Sequence, residues 1–392
     1  MKNIFNSLGS NYDLKFVFQS FFANGKDSQE LKNLLETKYD GKVAFTYKGR
    51  QSIEFVLQSL NLPAKSKIAI NGFTCLAVEQ AIKNAGFVPL YLDIDENKLN
   101  FSTSTLKKAI VDNPGIKAVI IQNTLGWPCE AEEIADICSD QNIDLIEDLA
   151  HSVGTTYRSG REAGTISKFA IFSFGQDKII DAISGGAAVI KEGKISDTVF
   201  KSVSISKQIK DRLYPAVTWK IRILYPFFGL GKALHVFSKA LNLLPKPVLT
   251  GMSGIFELPN WYQSLAFSRF LSLDCNIKHR QSIAKVYLTN LNDKFFLPET
   301  MLVESSTCLR FPIVVDQRDT IVKKLKAEGI HLADIWYDAP IAPKKYLTLT
   351  DYKTGVCPNA EKLSKKMLNL PTHQNMTEKT AIRISKIINN YE

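Results

Sequence analysis

The segments IDLIED (143–148) and KFAIFSF (168–174) decide how this chain folds, because each is a short apolar run that ends in polar side chains. The first carries Asp148 to its carboxyl end. The second carries Ser173 to its end, and Lys178 follows within the heptapeptide FSFGQDK (172–178). In an open parallel sheet, ligands bind outside the carboxyl ends of the strands. The sequence therefore predicts that Asp148, Ser173 and Lys178 lie at one ligand-binding edge.

Short apolar strands alternate with helical patterns between residues 45 and 190. Helical spacing of apolar residues is clear in segments such as EAEEIADICSDQN (130–142). This alternation predicts an α/β fold with a mostly parallel sheet and right-handed crossovers. The predicted strands are KIAI (67–70), VPLYL (88–92), KAVIIQ (117–122), IDLIE (143–147), FAIFSF (169–174) and AAVI (187–190).

The carboxy-terminal part of the chain has a different pattern. FPIVV (311–315) reads as a strand, RDTIVKKLKAEG (318–329) as a helix ending at glycine, and AEKLSKKMLNLP (360–371) as a helix stopped by proline. We expect a large domain over residues 1–272 and a smaller α+β domain over residues 273–392.

Composition limits the possible classes of protein. The chain has 392 residues, of which 45% are hydrophobic and 22% charged, as in an ordinary globular enzyme with a large core. Its six cysteines form no CxxC pair, and its amino terminus has no continuous apolar stretch with a cleavage site. We therefore expect a reducing cytoplasm, no structural disulfide and no metal site.

The formal charge of +10 is concentrated in one part of the chain. Residues 200–250 contain nine Lys or Arg and a single acid, Asp211. No nucleic-acid-binding signature accompanies this excess, so we expect no nucleic-acid partner.

In this order the motifs resemble the DegT/StrS family of PLP-dependent sugar aminotransferases, which have the fold-type-I aspartate aminotransferase architecture. IEDLAHSVG (146–154) resembles the family's I-E-D-A-A-Q-A-x-G, and FSFGQDK matches F-S-F-x-x-x-K. The resemblance implies that Lys178 is the Schiff-base lysine and that Asp148 faces the pyridine nitrogen of the cofactor. It also implies that His151 lies near the cofactor's 3-hydroxyl and that Ser173 binds its phosphate.

Other stretches extend the resemblance to further cofactor-binding residues. YKGRQS (47–52) corresponds to the family's S-G-T-x-A turn, which implies that Gly49, Arg50 and Gln51 form the phosphate cradle at the start of a helix. NGFTCLAVEQ (71–80) lies where the family places an aromatic ring over the cofactor, and Phe73 and Cys75 are the candidates there.

The resemblance also implies a homodimer. PNWYQSLAFS (259–268) corresponds to the family's N-Y-R-M-S-E-L-Q-A-A segment, in which the asparagine reaches the partner's cofactor phosphate. Asn260 matches this asparagine, whereas Tyr262 replaces the arginine. The loop IWYDAPIAP (335–343) lacks the family's histidine, so Trp336 and Tyr337 are expected to shape a different substrate pocket.

An apolar and basic insertion, at about residues 200–255, interrupts the resemblance. Within it, residues 213–245 contain no acid and combine Lys220, Arg222, Lys232 and Lys239 with aromatic residues and leucines. They contain no run of 18 apolar residues without charge, so a conventional membrane span is not expected. Two interpretations remain: the segment binds a membrane surface or a lipid-linked substrate, or it is a helical hairpin packed on a partner subunit. Its principal apolar residues are Trp219, Tyr225, Phe227, Phe228, Leu230 and Phe237.

The resemblance implies a PLP-dependent aminotransferase that acts on a nucleotide-linked keto-sugar, with glutamate or glutamine as amino donor. Surface polysaccharide or glycoconjugate biosynthesis is the implied setting. Two alternatives stay open: a PLP-dependent sugar dehydratase or lyase on the same fold, and a non-catalytic membrane-associated relative. Transfer of the amino group from labelled glutamate distinguishes the first alternative, and failure to bind PLP would favour the second.

Overall fold

The computed structural model describes residues 3–193, 198–244, 254–332 and 336–391. Residues 245–253 of the predicted insertion and Ile335 of the IWYDAPIAP loop lie outside these ranges.

Helices and strands alternate along most of the described chain. The strands are β1 (Ile4–Phe5), β2 (Lys42–Thr46), β3 (Lys67–Asn71), β4 (Thr74–Cys75), β5 (Val88–Leu92), β6 (Ile116–Gln122), β7 (Asp144–Asp148), β8 (Phe169–Ser173), β9 (Gly186–Ile190), β10 (Phe311–Val314), β11 (Ile330–His331), β12 (Ile341–Ala342) and β13 (Met367–Leu370). The α-helices are α1 (Leu14–Phe22), α2 (Ser28–Tyr39), α3 (Gly49–Ser59), α4 (Leu76–Asn84), α5 (Thr103–Asp112), α6 (Ala131–Asp140), α7 (Ile205–Leu224), α8 (Leu230–Ala240), α9 (Asn260–Leu271), α10 (Leu273–Asn290), α11 (Arg318–Ala327), α12 (Pro358–Lys366) and α13 (Glu378–Asn389).

Seven strands form the central sheet in the order β2-β9-β8-β7-β6-β3-β5. Strand β9 runs antiparallel to β2 and β8, and the other neighbouring pairs are parallel. The six strands predicted from the sequence are all present, each within one residue of its expected bounds. The mostly parallel α/β sheet is therefore confirmed.

Alternating side chains of the strands enter cores on opposite faces of the sheet. In β8, Phe169 and Ile171 join a core formed with α3 and α4, whereas Ala170 and Phe172 join the core on the other face. This period of two is the geometry of a strand covered on both sides. Because both faces of the sheet are covered, a ligand can reach the sheet only at the ends of its strands.

The carboxy-terminal region has its own core around the antiparallel pair β10 and β13, in which Phe311 lies opposite Leu370. Helix α10 packs on α13, whereas α9 packs on α2 in the amino-terminal part. The proposed domain boundary at residue 272 lies between α9 and α10 and stays a prediction.

The helix predicted over 360–371 is wrong in its second half. The helix ends at Lys366, and residues 367–370 form β13, in which all four side chains are buried. The apolar run MLNL fits a helix and a buried strand equally well by pattern, and pairing with β10 decides between them.

Helices α7 and α8 form a hairpin that packs through α7 on α1. The acid Asp211 ties α7 to the rest of the chain, because its carboxylate accepts hydrogen bonds from the Tyr47 and Tyr262 hydroxyls and pairs with Lys207. Tyr262, which replaces the arginine expected from the resemblance, is thus fully buried at the base of the hairpin.

Candidate active site

Two adjacent strands bring the predicted polar residues to one edge of the sheet. In the ladder between β7 and β8, Asp148 pairs with Ile171, so Ser173 lies two residues further on along β8. The side chain of Asp148 is buried and accepts a hydrogen bond of 2.9 Å from the amide of Ala150.

A buried carboxylate organises the loop that carries Lys178. Asp181 accepts hydrogen bonds from the Tyr12 hydroxyl at 2.6 Å, from Asn11 Nδ2 at 3.1 Å and from the Asp177 amide at 2.8 Å. Asp177 itself has a φ of 63°, a left-handed conformation that is uncommon for residues other than glycine. These bonds hold the turn that directs Lys178 back over the sheet edge.

The amine of Lys178 lies 2.8 Å from Nε2 of His151. The other ring nitrogen, Nδ1, accepts a hydrogen bond of 3.2 Å from the Leu125 amide, which can only donate. A neutral His151 therefore carries its proton on Nε2 and donates a hydrogen bond to Lys178 Nζ. To accept this bond, the lysine amine must be unprotonated and have a free lone pair.

The electrostatic environment favours the same state. Burial lowers the pKa of Lys178, and Arg310 lowers it further, while the charges of Cys75, Asp148 and Asp177 oppose the shift. Burial, Lys178 and Arg310 lower the pKa of His151 well below its usual value. A neutral lysine beside a neutral histidine is a nucleophilic amine.

The pKa of Asp148 shifts in the opposite direction, also because the side chain is buried. Burial raises its pKa to about 6, although the Ala150 amide and Lys178 act against that rise. At pH 7 its carboxylate is mostly ionised, and a cationic partner beside it would strengthen the ionised form.

The start of α3 and the end of β8 approach each other closely at glycine positions. A Cβ on Gly49 would lie 2.7 Å from Cβ and 2.9 Å from Oγ of Ser173, and a Cβ on Gly186 would lie 2.7 Å from Cα of Gly49. The amino terminus of α3 is thereby brought against the Ser173 hydroxyl. A helix amino terminus beside a hydroxyl is a suitable cradle for a phosphate group.

Gln51 and Arg50, which were also predicted to hold the phosphate, form hydrogen bonds within the protein. The amide of Gln51 donates to the Lys48 carbonyl at 2.9 Å, and its side chain donates to the Gly254 carbonyl at 2.9 Å. Arg50 donates to Gln80 Oε1 at 2.6 Å.

Comparison with known proteins gives a direct match. A model of the DegT/DnrJ/EryC1/StrS aminotransferase family matches residues 12–389. The chain belongs to this family. Its members are PLP-dependent aminotransferases, so the predicted enzyme class and cofactor are confirmed.

Individual relatives are distant but match over most of their length. The UDP-2-acetamido-2-deoxy-3-oxo-D-glucuronate aminotransferase of Pseudomonas aeruginosa is 26% identical over 326 residues, which cover 83% of this chain and 79% of the relative. The GDP-perosamine synthase of Escherichia coli O157:H7 is 22% identical over 347 residues, with 88% and 84% covered. The crystal structure of DesI in the presence of its TDP-sugar product has a TM-score of 0.71 at 18% identity, covering 100% of this chain and 93% of that chain.

The geometry fits the cofactor of the DegT/DnrJ/EryC1/StrS family. A neutral lysine, a buried carboxylate on the adjacent strand and a glycine-lined cradle with a serine hydroxyl lie at one edge of the sheet. These are the three groups that PLP requires for its aldehyde, its ring nitrogen and its phosphate.

The two candidates for stacking on the cofactor differ in exposure. Phe73 is fully buried, with its ring 4.8 Å from that of Tyr337. Cys75 is exposed at the amino-terminal cap of α4, where its side chain accepts from the Ala77 amide. Phe73 therefore packs against Tyr337 in the interior, whereas Cys75 faces outward.

Trp336 is a third aromatic residue at the site. Its ring stacks on His151, with centroids 5.3 Å apart and an angle of 17° between the planes, and Lys178 Nζ lies 4.7 Å from its centroid. Tyr337 OH lies 3.4 Å from His151 Nδ1. The loop that lacks the family's histidine therefore contacts His151 and Lys178, and the role of Trp336 and Tyr337 in shaping a different substrate pocket stays a prediction.

Sequence reasoning missed three residues that act on this site. Arg310 is buried, with its guanidinium 5.3 Å from the Trp336 ring, and Asp181 holds the lysine loop. Lys48 precedes the cradle, and burial lowers its pKa to about 8, with Asp211 opposing the shift. For Asp181 and Arg310, the available signal was a charged residue inside an apolar run, KIIDAI (178–183) and LRFPIVV (309–315). Charged side chains are rarely buried unless they have a partner.

Asn260 lies in the first turn of α9 and is exposed. Its side chain accepts a hydrogen bond of 3.3 Å from Gln263 Nε2. Among the described contacts, none joins it to Lys178 or Ser173 of the same chain, so its predicted role in a partner's site stays a prediction.

Proposed function

We propose that this protein transfers an amino group from glutamate or glutamine to a keto-sugar attached to a nucleotide, as a cytoplasmic homodimer that serves surface polysaccharide or glycoconjugate biosynthesis. The observation that carries the proposal is the 2.8 Å contact between Lys178 and His151 beside Asp148. The names of relatives that act on GDP- and UDP-linked sugars support the substrate class. Lys178 is present rather than histidine, which favours amino transfer over the dehydratase alternative.

Each of the site residues has a separate role in this proposed reaction. PLP supplies, when bound, a conjugated ring that withdraws electrons from the donor's α-carbon. Neutral Lys178 Nζ takes the proton from that carbon and returns a proton in the second half-reaction. His151 holds the amine in position and keeps it unprotonated. Asp148 would hold the ring nitrogen, and Ser173 with the Gly49 and Arg50 amides would hold the phosphate.

The site of cofactor attachment can be tested directly. Borohydride reduction of the holoenzyme should bleach its absorbance and fix the cofactor covalently to Lys178, as read by mass spectrometry of tryptic peptides. Attachment to another lysine, or normal bleaching in Lys178→Ala, would remove Lys178 from this role.

The substrate class requires a product assay. The holoenzyme is incubated with ¹⁵N-glutamate and a panel of GDP-, UDP- and TDP-linked keto-sugars, and products are analysed by mass spectrometry. The proposal expects a sugar product that carries ¹⁵N and depends on Lys178. A product that has lost water and gained no nitrogen would indicate the dehydratase, and PLP binding without any turnover would indicate a non-catalytic relative.

A second proposed function is contact with an anionic membrane surface through the α7–α8 hairpin. No described helix has the length and apolar character needed to cross a bilayer. Yet Phe227, Phe228 and Phe237 are exposed by 52%, 104% and 60%, and Lys232 and Lys239 are exposed on the same hairpin. Aromatic residues that enter the headgroup region beside lysines are typical of surface-bound helices.

Helix α1 extends the same apolar surface. It packs on α7, and its Phe18 and Phe22 are exposed by 57% and 77%. Trp219 and Tyr225 of the hairpin, by contrast, are partly buried, and Tyr225 packs its ring 4.9 Å from that of Phe5. The surface offered to lipid is therefore the outer face of α1 and α8 with the turn between α7 and α8.

Sedimentation with phosphatidylglycerol vesicles tests the membrane proposal. Phe227→Ser with Phe228→Ser should abolish binding that salt also weakens, while the matched pair Val111→Ser with Met301→Ser, exposed apolar residues elsewhere, should leave it intact. Sedimentation velocity checks that neither pair changes the dimer. Absence of wild-type binding at low salt, or loss of the dimer in the phenylalanine pair alone, would favour a hairpin packed on a partner subunit.

A further inference from the structure

A cleft of about 340 Å³ lies between the amino-terminal segment, helix α7 and the loop after β13. Its walls include Tyr12, Trp219, Arg222 and His373. Tyr12 also supports the candidate active site, because its hydroxyl donates to Asp181. Trp219, Arg222 and Ile223 stand at positions i, i+3 and i+4 of α7, so one face of this helix lines the cleft.

Two buried hydrogen-bond donors in the cleft have no acceptor. His373 is only 2% exposed, and its Nδ1 accepts from the Asn375 amide at 3.3 Å. The neutral ring therefore carries its proton on Nε2, and Nε2 makes no hydrogen bond. Nε of Arg222 is likewise buried without a bond, while its Nη2 donates to the Tyr12 carbonyl.

Buried donors without acceptors are costly, and native proteins seldom leave them so. Burial is the main cause that lowers the pKa of His373; the Phe5 backbone carbonyl opposes this shift, but its geometry falls short of a full hydrogen bond to Nε2. A bound acceptor would satisfy both Nε2 of His373 and Nε of Arg222.

Arginines lie behind the cleft, and Asp177 and Asp181 offset part of their charge. Arg280 is fully buried and donates only to neutral oxygens, among them Asn11 Oδ1 at 3.0 Å and Thr372 Oγ1 at 3.2 Å. Burial, followed by the charges of Arg310, Arg280 and Arg222, lowers the pKa of His373 well below its usual value. The carboxylate at the mouth, Asp13, is exposed and already caps α1 through the Phe16 amide.

The mouth of the cleft is apolar and opens beside the exposed surface of α1 and the hairpin. Leu14, Ile223 and Pro226 line it, and Leu14 and Ile223 are exposed by 46% and 45%. Phe227 continues the apolar surface directly after Pro226. An anion-binding base with an apolar rim suits a molecule that has a charged head and a hydrocarbon tail.

We propose that this cleft binds an amphiphile with a phosphate head group, whose oxygens accept from Arg222 and His373 while its hydrocarbon chain lies over Leu14 and Ile223. A phosphate monoester offers three acceptor oxygens, enough for both donors. The cleft is separate from Lys178 and its occupancy does not rest on amino transfer, so its test needs no substrate.

Isothermal calorimetry on the PLP-loaded enzyme provides the test, with dodecyl phosphate kept below micelle formation. Inorganic phosphate has the head without the chain, and dodecyl maltoside has the chain without the charge. We expect dodecyl phosphate to bind at least about tenfold more tightly than either, because each lacks one of the two contacts.

Variants locate the binding. Arg222→Gln should weaken dodecyl phosphate at least about tenfold, because a charge-assisted bond is lost. Lys220→Gln removes the same charge from an exposed position of the same helix and should have little effect. Ile223→Glu places a carboxylate at the exposed rim and should weaken binding even if Arg222→Gln disturbs folding.

Four results would overturn the proposal. Equal binding of dodecyl maltoside would mean a purely apolar groove, and equal binding of inorganic phosphate would mean an anion site without a chain subsite. Absence of any wild-type binding, or equal losses in Lys220→Gln and Arg222→Gln, would mean that the cleft has no specific ligand of this class.

Discussion

At the scale of single residues, Asp148 is expected to improve activity at a cost to stability. Its folded pKa of about 6 lies above the usual 3.8, so the folded chain binds this proton more tightly than the unfolded chain does. The stability that this proton contributes is present below about pH 4 and is lost as the pH rises through 6. A shift of about two units corresponds to about 3 kcal/mol.

We predict that Asp148→Asn stabilises the cofactor-free protein by up to about 3 kcal/mol at pH 8, by about 1 kcal/mol near pH 4.5 and by almost nothing near pH 3. Asparagine keeps the acceptor for the Ala150 amide and cannot ionise. Urea unfolding at several pH values measures the difference, and Asp140→Asn, at an exposed position, is the control. A gain that does not vary with pH would contradict the raised pKa.

The same variant should be a poor enzyme. Without the carboxylate the ring nitrogen loses its partner, and turnover should fall by about a hundredfold or more while the cofactor still binds. Steady-state rates with glutamate and the sugar found in the product assay measure this. Near-normal turnover would exclude Asp148 from the chemistry.

His151 offers a second prediction, since it donates to an unprotonated Lys178. His151→Leu removes that donor and should raise the pKa of Lys178 by about one unit, so that PLP capture by the cofactor-free protein needs a higher pH. His151→Gln retains an N–H donor and should restore the wild-type profile. The midpoint of capture rate against pH is the measurement, and an unchanged or lowered midpoint in the leucine variant would contradict the assigned proton.

The positions of some site residues could be predicted from the sequence, whereas those of others could not. Asp148 and Ser173 follow recognisable strands, so their place at the sheet edge could be predicted from strand patterns alone. The environment of Arg310 could not, because its contact with Trp336 joins positions 26 residues apart across a loop that no pattern fixes. The shifted pKa values depend on such contacts and remain invisible until the chain folds.

At the scale of elements, the carboxylate of Asp211 joins helix α7 to Tyr47 and Tyr262. Asp211→Ala should leave the hydroxyls of Tyr47 and Tyr262 without their acceptor and destabilise the protein by about 2 to 4 kcal/mol. Tyr262→Phe removes one bond and should cost about 1 kcal/mol. Urea unfolding of the two variants measures how much unfolding free energy each one loses. Equal losses would mean that the carboxylate stabilises the protein through its bond with Tyr262 alone.

Strand β13 shows where pattern reading fails for elements. Helix α12 is rich in lysine and ends at Lys366, and the next four residues, MLNL, continue an apolar spacing that a helix also allows. The deciding partner, FPIV, lies more than 50 residues earlier in the chain. The central strands were predicted well because their alternation with helices repeats several times, whereas the antiparallel pair of β10 and β13 belongs to no repeating pattern.

At the scale of the whole molecule, the predicted homodimer makes a specific claim about Asn260. If Asn260 serves the site of the partner subunit, mixing Lys178→Ala with Asn260→Ala creates heterodimers with one intact site. With free exchange of subunits, activity should recover to about a quarter of wild type. Assays before and after exchange measure this, and exchange within each variant alone is the control. No recovery after proven exchange would place Asn260 outside the partner's site.

Tyr12 has a consequence for how the two ligand sites of the molecule communicate. Its hydroxyl donates to Asp181, which holds the loop of Lys178, and its carbonyl accepts from Arg222 in the cleft. Binding free energies that pass through one shared residue are reciprocal. If dodecyl phosphate tightens or loosens PLP by some factor, PLP must change the affinity for dodecyl phosphate by the same factor. If the cleft binds this ligand, its affinity would then depend on whether PLP is bound at the site of Lys178.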